Sequence, residues 1–444
     1  MQKTLEPMTA LEQLGSFVAT HQPDERARAD ARRHSADTLG AWIAACGTDE
    51  GRALMAFRKD ADALADRVAI NVALVRLSEI DDIHLGAMIT PGAIVVPSAL
   101  TIAASLPDVT ADDIAASIVV GYEAMIRLGA AIDGPSVLYR GIWPTYFAAP
   151  FGVAAVAARL FRLDGKQTAN ALSAGLIMAA PGAGHHTAPT TMRWLVVGYA
   201  AGRGLQAALA AGAGFTSDLK IADGDYLKNI FGIVPNAALL GGGSGELALS
   251  QTSFKPWCAA RQTMAATQAL KEVLAEGVEA QSILRIGVAV LPPHLKMIDH
   301  GVTAGDRFSY LTSLQYQMAV AALAPDLAYS LSPPPGPISP DLSAFMARIQ
   351  IRAEEGLMAA GYPQAWAAHV TVTASGRRER TVTDVPGDPA RPFGDDDLEA
   401  KFIRMTSAML GRDRAQAEFA AALSALERPA AFIREISQIG PGNR

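Results

Sequence analysis

Apolar residues recur at helical spacing through most of the chain. From Ala10 to about Ser250 the segments Thr110–Ile132 and Phe151–Leu163 show this period, with Gly and Pro marking the connections. The run PFGVAAVAARLF is apolar on nearly every face, which predicts a helix inside a bundle rather than on its surface. Near Gly241 the pattern changes. Short alternating runs follow: Ile283–Val290, Phe345–Ile351, and His369–Ala374 with Arg380–Val385 across a Ser-Gly-Arg-Arg turn. Helical stretches near Phe254–Leu274 and Ser309–Leu323 separate them. After Pro392 the helical period returns in Asp396–Leu410 and Arg414–Leu426. The expectation is a mostly α protein: an all-helical large domain, residues 1–250, an inserted α+β lid, 251–392, and a return to the helical domain, 393–444.

Composition narrows the chemistry. Half of the 444 residues are hydrophobic, but only 6% are aromatic and 18% charged. Such a core is built from Ala, Leu, Val and Ile, which suits close-packed helices. A net charge of −6 offers no basic patch for nucleic acid or anionic lipid, so the expected partner is a small molecule or a second copy of the chain. The stretches Leu85–Pro107 and Gln167–Met192 contain no Asp, Glu, Lys or Arg, but both contain prolines and read as buried core rather than membrane spans. The first residues show no basic segment followed by an apolar run, and the expected location is cytoplasmic. Two cysteines, Cys46 and Cys258, leave a single bridge open. They are too few to hold an iron–sulfur cluster. The sequence GGGSGE at 241–246 lacks dinucleotide-fingerprint spacing and reads as a connector.

Several stretches, in consistent order, resemble the MmgE/PrpD family, home of 2-methylcitrate dehydratase and cis-aconitate decarboxylase. They are SADTLGAWIAACG (35–47), EIDDIHLGAMITPGAIVVPSAL (79–100), GYEAMIRLGAAI (121–132) and GIWPTYFAAPFGVAAVAARLFRLD (141–164). MRWLVVGYAAGRGLQAALAAGAGFT (192–216), SFKPWCAARQTMAATQAL (253–270), TSLQYQMAVA (312–321) and PGDPARPFGDDDLEAKF (386–402) complete the series. The resemblance implies lyase or isomerase chemistry without metal or organic cofactor, in a site between the helical domain and the lid. A proton is removed next to a carboxylate, and water or carbon dioxide leaves. That chemistry needs a base at the carbon acid, cations for carboxylates, and donors for the enolate-like intermediate.

Departures from the family pattern are as informative. Family histidines fall on Thr90, Trp143, Val196 and Met264, while a family lysine falls on Arg193. Asp81, Asp82, His84, Thr145, Lys255 and Tyr316 are retained. The resemblance implies catalytic roles for Asp81, Asp82, His84, Lys255 and Tyr316, with His186 as a replacement proton carrier. Thr90, Trp143, Thr145, His185, Arg193 and Met264 are expected to bind substrate. Each has a plainer reading: Asp81 and Asp82 suit a helix cap, Tyr316 suits a core aromatic, and adjacent histidines can hint at metal, although no third ligand stands at ligand spacing. Three of the replacements are apolar, so a triacid would be desolvated with few compensating donors. The expected substrate is a carboxylic acid less charged and more apolar than citrate. A recruited cyclase or double-bond isomerase, or a carboxylate-binding pseudoenzyme, are the alternatives. The apolar helices around 85–107 and 151–213 exceed what one domain hides, and a homodimer is expected.

Overall fold

The computed structural model describes residues 7–58, 61–180, 182, 190–242, 245–332 and 337–439. The helical domain is assembled around α1 (Glu25–Cys46), α2 (Leu64–Arg76), α3 (Gly92–Ala103), α4 (Ala111–Ala131), α5 (Pro144–Leu160) and α6 (Met192–Gly212). Helix α5 lies at the centre, packed on α4 and α6, with α6 also lying along α2. Phe147, Phe151, Val153 and Val156 are fully buried, as an all-round apolar helix requires. Helix α4 begins with a capping box in which the Thr110 hydroxyl accepts from the Asp113 amide and Asp113 accepts from the Thr110 amide. Among the described residues it is the one helix long and apolar enough to cross a membrane, and 89% of that window is buried inside the protein. Its apolar length is spent on core.

The lid is built on α7 (Arg261–Ala275), α8 (Leu314–Leu323) and a four-stranded sheet. Strands β1 (Arg285–Val290), β2 (Ile349–Ala353), β3 (Ala368–Thr373) and β4 (Arg377–Val382) are ordered β2-β1-β3-β4. β1 and β2 run parallel, and the other pairs are antiparallel. Ile286, Val288 and Val290 of β1 fall on one face with Val370 and Val372 of β3, and that face buries with Met264, Leu270 and Tyr316. The return helix α9 (Asp395–Leu410) packs along α1. Its Leu398, Phe402 and Met405 belong to the helical core, not to the lid core.

Several sequence expectations shift. Phe254–Leu274 is helical only from Arg261, because Pro256 has no amide to donate and disfavours helix at the residue before it. The segment from Thr252 to Ala260 is instead irregular, with a bridge at Ser253 and bends over 256–259. The run Phe345–Ile351 divides into the end of a helix, Pro340–Met346, and the start of β2. Ser309–Leu323 is two helices, Arg307–Thr312 and α8, separated at Ser313. Cys46 and Cys258 are both buried and free.

Candidate active site

The loop that follows α2 carries the polar groups of the interdomain cleft. Residues 77–91 are fastened at several points. Ile83 and Ser253 exchange backbone hydrogen bonds of 2.9 and 2.8 Å, stitching the loop to the entry segment of the lid. That segment is in turn tied to the lid's exit, where the Phe254 amide donates to the Gly387 carbonyl at 2.9 Å. Gly387 has φ +98°, and a Cβ there would stand 2.3 Å from the Phe254 carbonyl oxygen, so only glycine lets the two strands approach. Glu79 holds a left-handed backbone, φ 58°, an uncommon state for a side-chain-bearing residue that its contacts enforce.

Those contacts form a compact charge cluster. Arg76, the last residue of α2, lies 2.7 Å from Glu79 Oε2 and 3.2 Å from Asp81 Oδ1. Lys255 Nζ donates to the Glu79 carbonyl at 2.9 Å and stands 3.7 Å from Asp81 Oδ1. The Trp194 indole donates to Glu79 Oε1 at 3.0 Å. Burial pushes the Glu79 carboxyl up, but Arg76 and then Lys255 more than reverse it, and its pKa lies below the ordinary value. For Asp81 burial prevails over the same two cations, and its pKa is raised. Asp81 Oδ2 has no hydrogen-bond partner. Two neighbouring carboxylates are thus pushed apart, one held ionised and the other biased toward taking a proton.

A narrow cavity of about 80 Å³ opens over this cluster. Arg76, Glu79, Thr90, Thr145 and Lys255 reach it from the loop, the helical domain and the lid entry, and Arg261, Gln262 and Thr312 from the lid. Trp143, Leu138, Met88, Phe308 and Leu311 supply apolar wall. Arg261 is the group that sequence reasoning missed. It opens α7, is 2% exposed, and donates through Nη2 to Asp388 at 2.5 Å. Its Nε and Nη1 are buried without a partner. Helix α7 also starts without a side-chain cap. Unmet guanidinium donors and the dipole of an uncapped helix N-terminus both favour an anion beside them. The available signal was Arg261 itself, a charged residue inside the stretch SFKPWCAARQTMAATQAL.

The other expected residues are distributed unevenly. Thr90 and Thr145 both reach the cavity, their hydroxyls 3.1 Å apart, with the Thr90 amide donating to Thr145 Oγ1 at 3.0 Å. Arg193 is buried behind the aromatic wall, its guanidinium 4.1 Å from the Phe308 ring centre and 5.6 Å from that of Trp143. It is not among the cavity-lining residues. Asp82 faces the helical core, where it accepts from the Tyr122 hydroxyl at 2.6 Å and the Gly92 amide at 2.8 Å, with His34 Nδ1 at 2.7 Å. Met264 and Tyr316 sit in the lid core, Tyr316 edge-on to Tyr310, and Val196 is half-buried on α6; none of the three lines the cavity. For Met264 and Tyr316 the reason is packing, since both are buried within the lid's own hydrophobic core. His84 is half-buried outside the cavity, its Nδ1 accepting from the Ala87 amide at 3.1 Å, and burial lowers its pKa to about 4. His185 and His186 lie outside the described residues. A histidine that sequence reasoning passed over, His300, stands behind cavity-lining Thr312, with Nε2 3.0 Å from its hydroxyl. Among the described residues, no group of three His, Cys, Asp or Glu side chains is placed to hold a metal ion.

Comparison with known families agrees with this architecture. Residues 12–229 match the MmgE/PrpD N-terminal domain, and residues 257–425 match the MmgE/PrpD C-terminal domain. The chain belongs to the MmgE/PrpD family. Members of this family are generally lyases of the dehydratase type. The boundary between the two matched segments, 230–256, contains the connector and the lid entry that delivers Lys255. No curated protein gives a significant match to the chain.

Proposed function

We propose that this MmgE/PrpD protein is a cofactor-independent lyase or isomerase that moves a proton next to a carboxylate or carbonyl. Its substrate would be an acid less charged and more apolar than citrate. The observation that carries the reading is Arg261: a buried arginine that lines the same cavity as Lys255 and Glu79 and keeps two guanidinium nitrogens without a partner. A substrate carboxylate would seat on Arg261 and the first amides of α7, which would acidify the neighbouring C–H bond. Lys255 keeps ammonium hydrogens beyond the one given to the Glu79 carbonyl, and would donate to the developing enolate or the leaving group. Arg76 and Lys255 are balanced by Glu79 and Asp81, so an incoming carboxylate adds one negative charge to a neutral cluster. Proton uptake by Asp81 would offset it. The wall of Trp143, Leu138, Met88, Phe308 and Leu311 has little to offer a second or third carboxylate.

The test is solvent deuterium exchange into a panel of di- and tricarboxylic acids and more apolar enoates. At least one apolar monoacid or diacid is expected to exchange at the position next to its carboxylate. Arg261→Met should cut that exchange by about tenfold to a hundredfold, the loss of one or two charge-assisted hydrogen bonds. No exchange into any acid, with binding intact, would leave a carboxylate-binding protein without chemistry.

A further inference from the structure

A second cavity is bordered by Trp257 of the lid entry segment. It measures about 290 Å³ and shares no lining residue with the candidate active site. Trp257, Thr267, Lys271 and Gln317 line it from the lid, Tyr329 from the connection after α8, and Arg404 from α9. It therefore sits on the seam between the lid and the returning helical domain.

Its charges are unbalanced. The Lys271 ammonium lies 4.6 Å from the centre of the Trp257 ring, and Arg404 Nη1 donates to the Tyr329 hydroxyl at 2.9 Å with its guanidinium 5.2 Å from that ring's centre. Neither cation forms an ion pair with a carboxylate among the described residues. Asp326, exposed at the rim, is the one acid lining the cavity. Partial desolvation of the otherwise exposed Lys271 ammonium, and then the positive charges of Arg404 and Arg391, hold it below its ordinary pKa. Arg391 already pairs with Glu272, at 3.0 Å, so its charge is met elsewhere. The Trp257 indole N–H is buried with no hydrogen-bond partner. Two aromatic rings thus fix two cations around one void, with a buried donor beside them. Ordinary surface cations would spread apart into water. These are held by ring contacts on rigid elements, which is how a protein prepares a seat for an anion.

We propose that this seam cavity is a second binding site, for a small organic anion bearing one carboxylate or phosphoryl group between Lys271 and Arg404. Trp257 stands two residues from Lys255 on the same entry segment, so an anion bound here would brace the stretch of chain that presents Lys255 to the cleft.

The experiment is calorimetric titration of the full-length protein with benzoate and, separately, with inorganic phosphate, at constant ionic strength set with chloride. Saturable binding of at least one is expected, and the anion that binds identifies whether the site takes a carboxylate or a phosphoryl group. The Lys271→Met/Arg404→Met double variant should weaken that binding at least tenfold, and Lys271→Arg should retain it. Lys255→Met, which alters the candidate active site, should leave it unchanged. Both substituted cations are exposed, and an unaltered melting temperature of the double variant checks that the fold is intact. Equal affinity in the double variant, loss of binding in Lys255→Met alone, or heats no larger than those of a chloride titration would each overturn the proposal.

Discussion

His84 shows how the surroundings of a residue in a family-matched position change its chemistry. Its Nδ1 accepts from the Ala87 amide, and burial holds its pKa near 4, so at neutral pH it carries no exchangeable charge. The same burial makes it a pH-dependent liability. The unfolded chain titrates this imidazole near 6.5, the folded chain near 4, so between those values the unfolded state binds more protons. Stability contributed by His84 is complete above about pH 6.5 and is lost as pH falls toward 4. His84→Asn keeps an acceptor for the Ala87 amide and removes the titration. Melting temperatures measured from pH 7 to 4.5 should fall less steeply in this variant than in the parent. Parallel curves would show that His84 does not titrate with a depressed pKa. Asp81 and Glu79 make the complementary point. They are two residues apart and share Arg76, yet their pKa values move in opposite directions.

At the scale of elements, the loop from Leu77 to Pro91 is positioned by the start of α3. Gly92 donates to Asp82, and a Cβ at Gly92 would stand 2.7 Å from Asp82 Oδ1, 2.8 Å from Thr38 Oγ1 and 2.8 Å from the Tyr122 hydroxyl. The loop is anchored to three helices through one carboxylate. Gly92→Ala should therefore cost about 1–3 kcal/mol, as overpacking of a fully buried site does, seen as a lowered midpoint in denaturant. An unchanged midpoint would mean that the loop is held by its other ties, to Ser253 and within His84–Ile89. A second anchor is the ion pair of Lys401 on α9 with Asp37 on α1, at 2.5 Å, where Lys401 also donates to the Ile80 carbonyl at 3.2 Å. The return helix thereby reaches the same loop from the far end of the chain.

For the whole molecule, the outer face of α6 is the feature that the fold leaves unexplained. Met192, Tyr199 and Leu209 on this helix are 57, 40 and 50% exposed, and Phe215 just beyond it is 72% exposed. Exposed large apolar groups along one helix of the helical domain support the homodimer expected from the sequence. Light scattering at micromolar concentration should report a dimer. Tyr199→Glu/Leu209→Glu should shift it to monomer, because two buried charges would oppose association. A monomeric parent protein would remove the proposal.

The helical bundle, the small sheet and the return of the helical pattern after Pro392 could all be read from periodicity, because a period of 3.6 or 2 in apolar residues states which face must be buried whatever it packs against. The family resemblance rested on local words that keep their order along the chain. Lys255, Thr90, Trp143 and Thr145 were legible because those words placed them. The remaining site was not. Whether a polar side chain meets a cavity, a core or another charge depends on residues far away in sequence. Asp82 turned to His34 and Tyr122, Tyr316 turned to Tyr310 in the lid core, and Arg261 came to the cleft with two donors unmet. Glu79 and Asp81 differ only in how Arg76, Lys255 and burial are arranged about them. Those arrangements join segments up to 176 positions apart, and only tertiary packing fixes them, because hydrogen-bond and Coulomb energies depend on distances that no local pattern encodes.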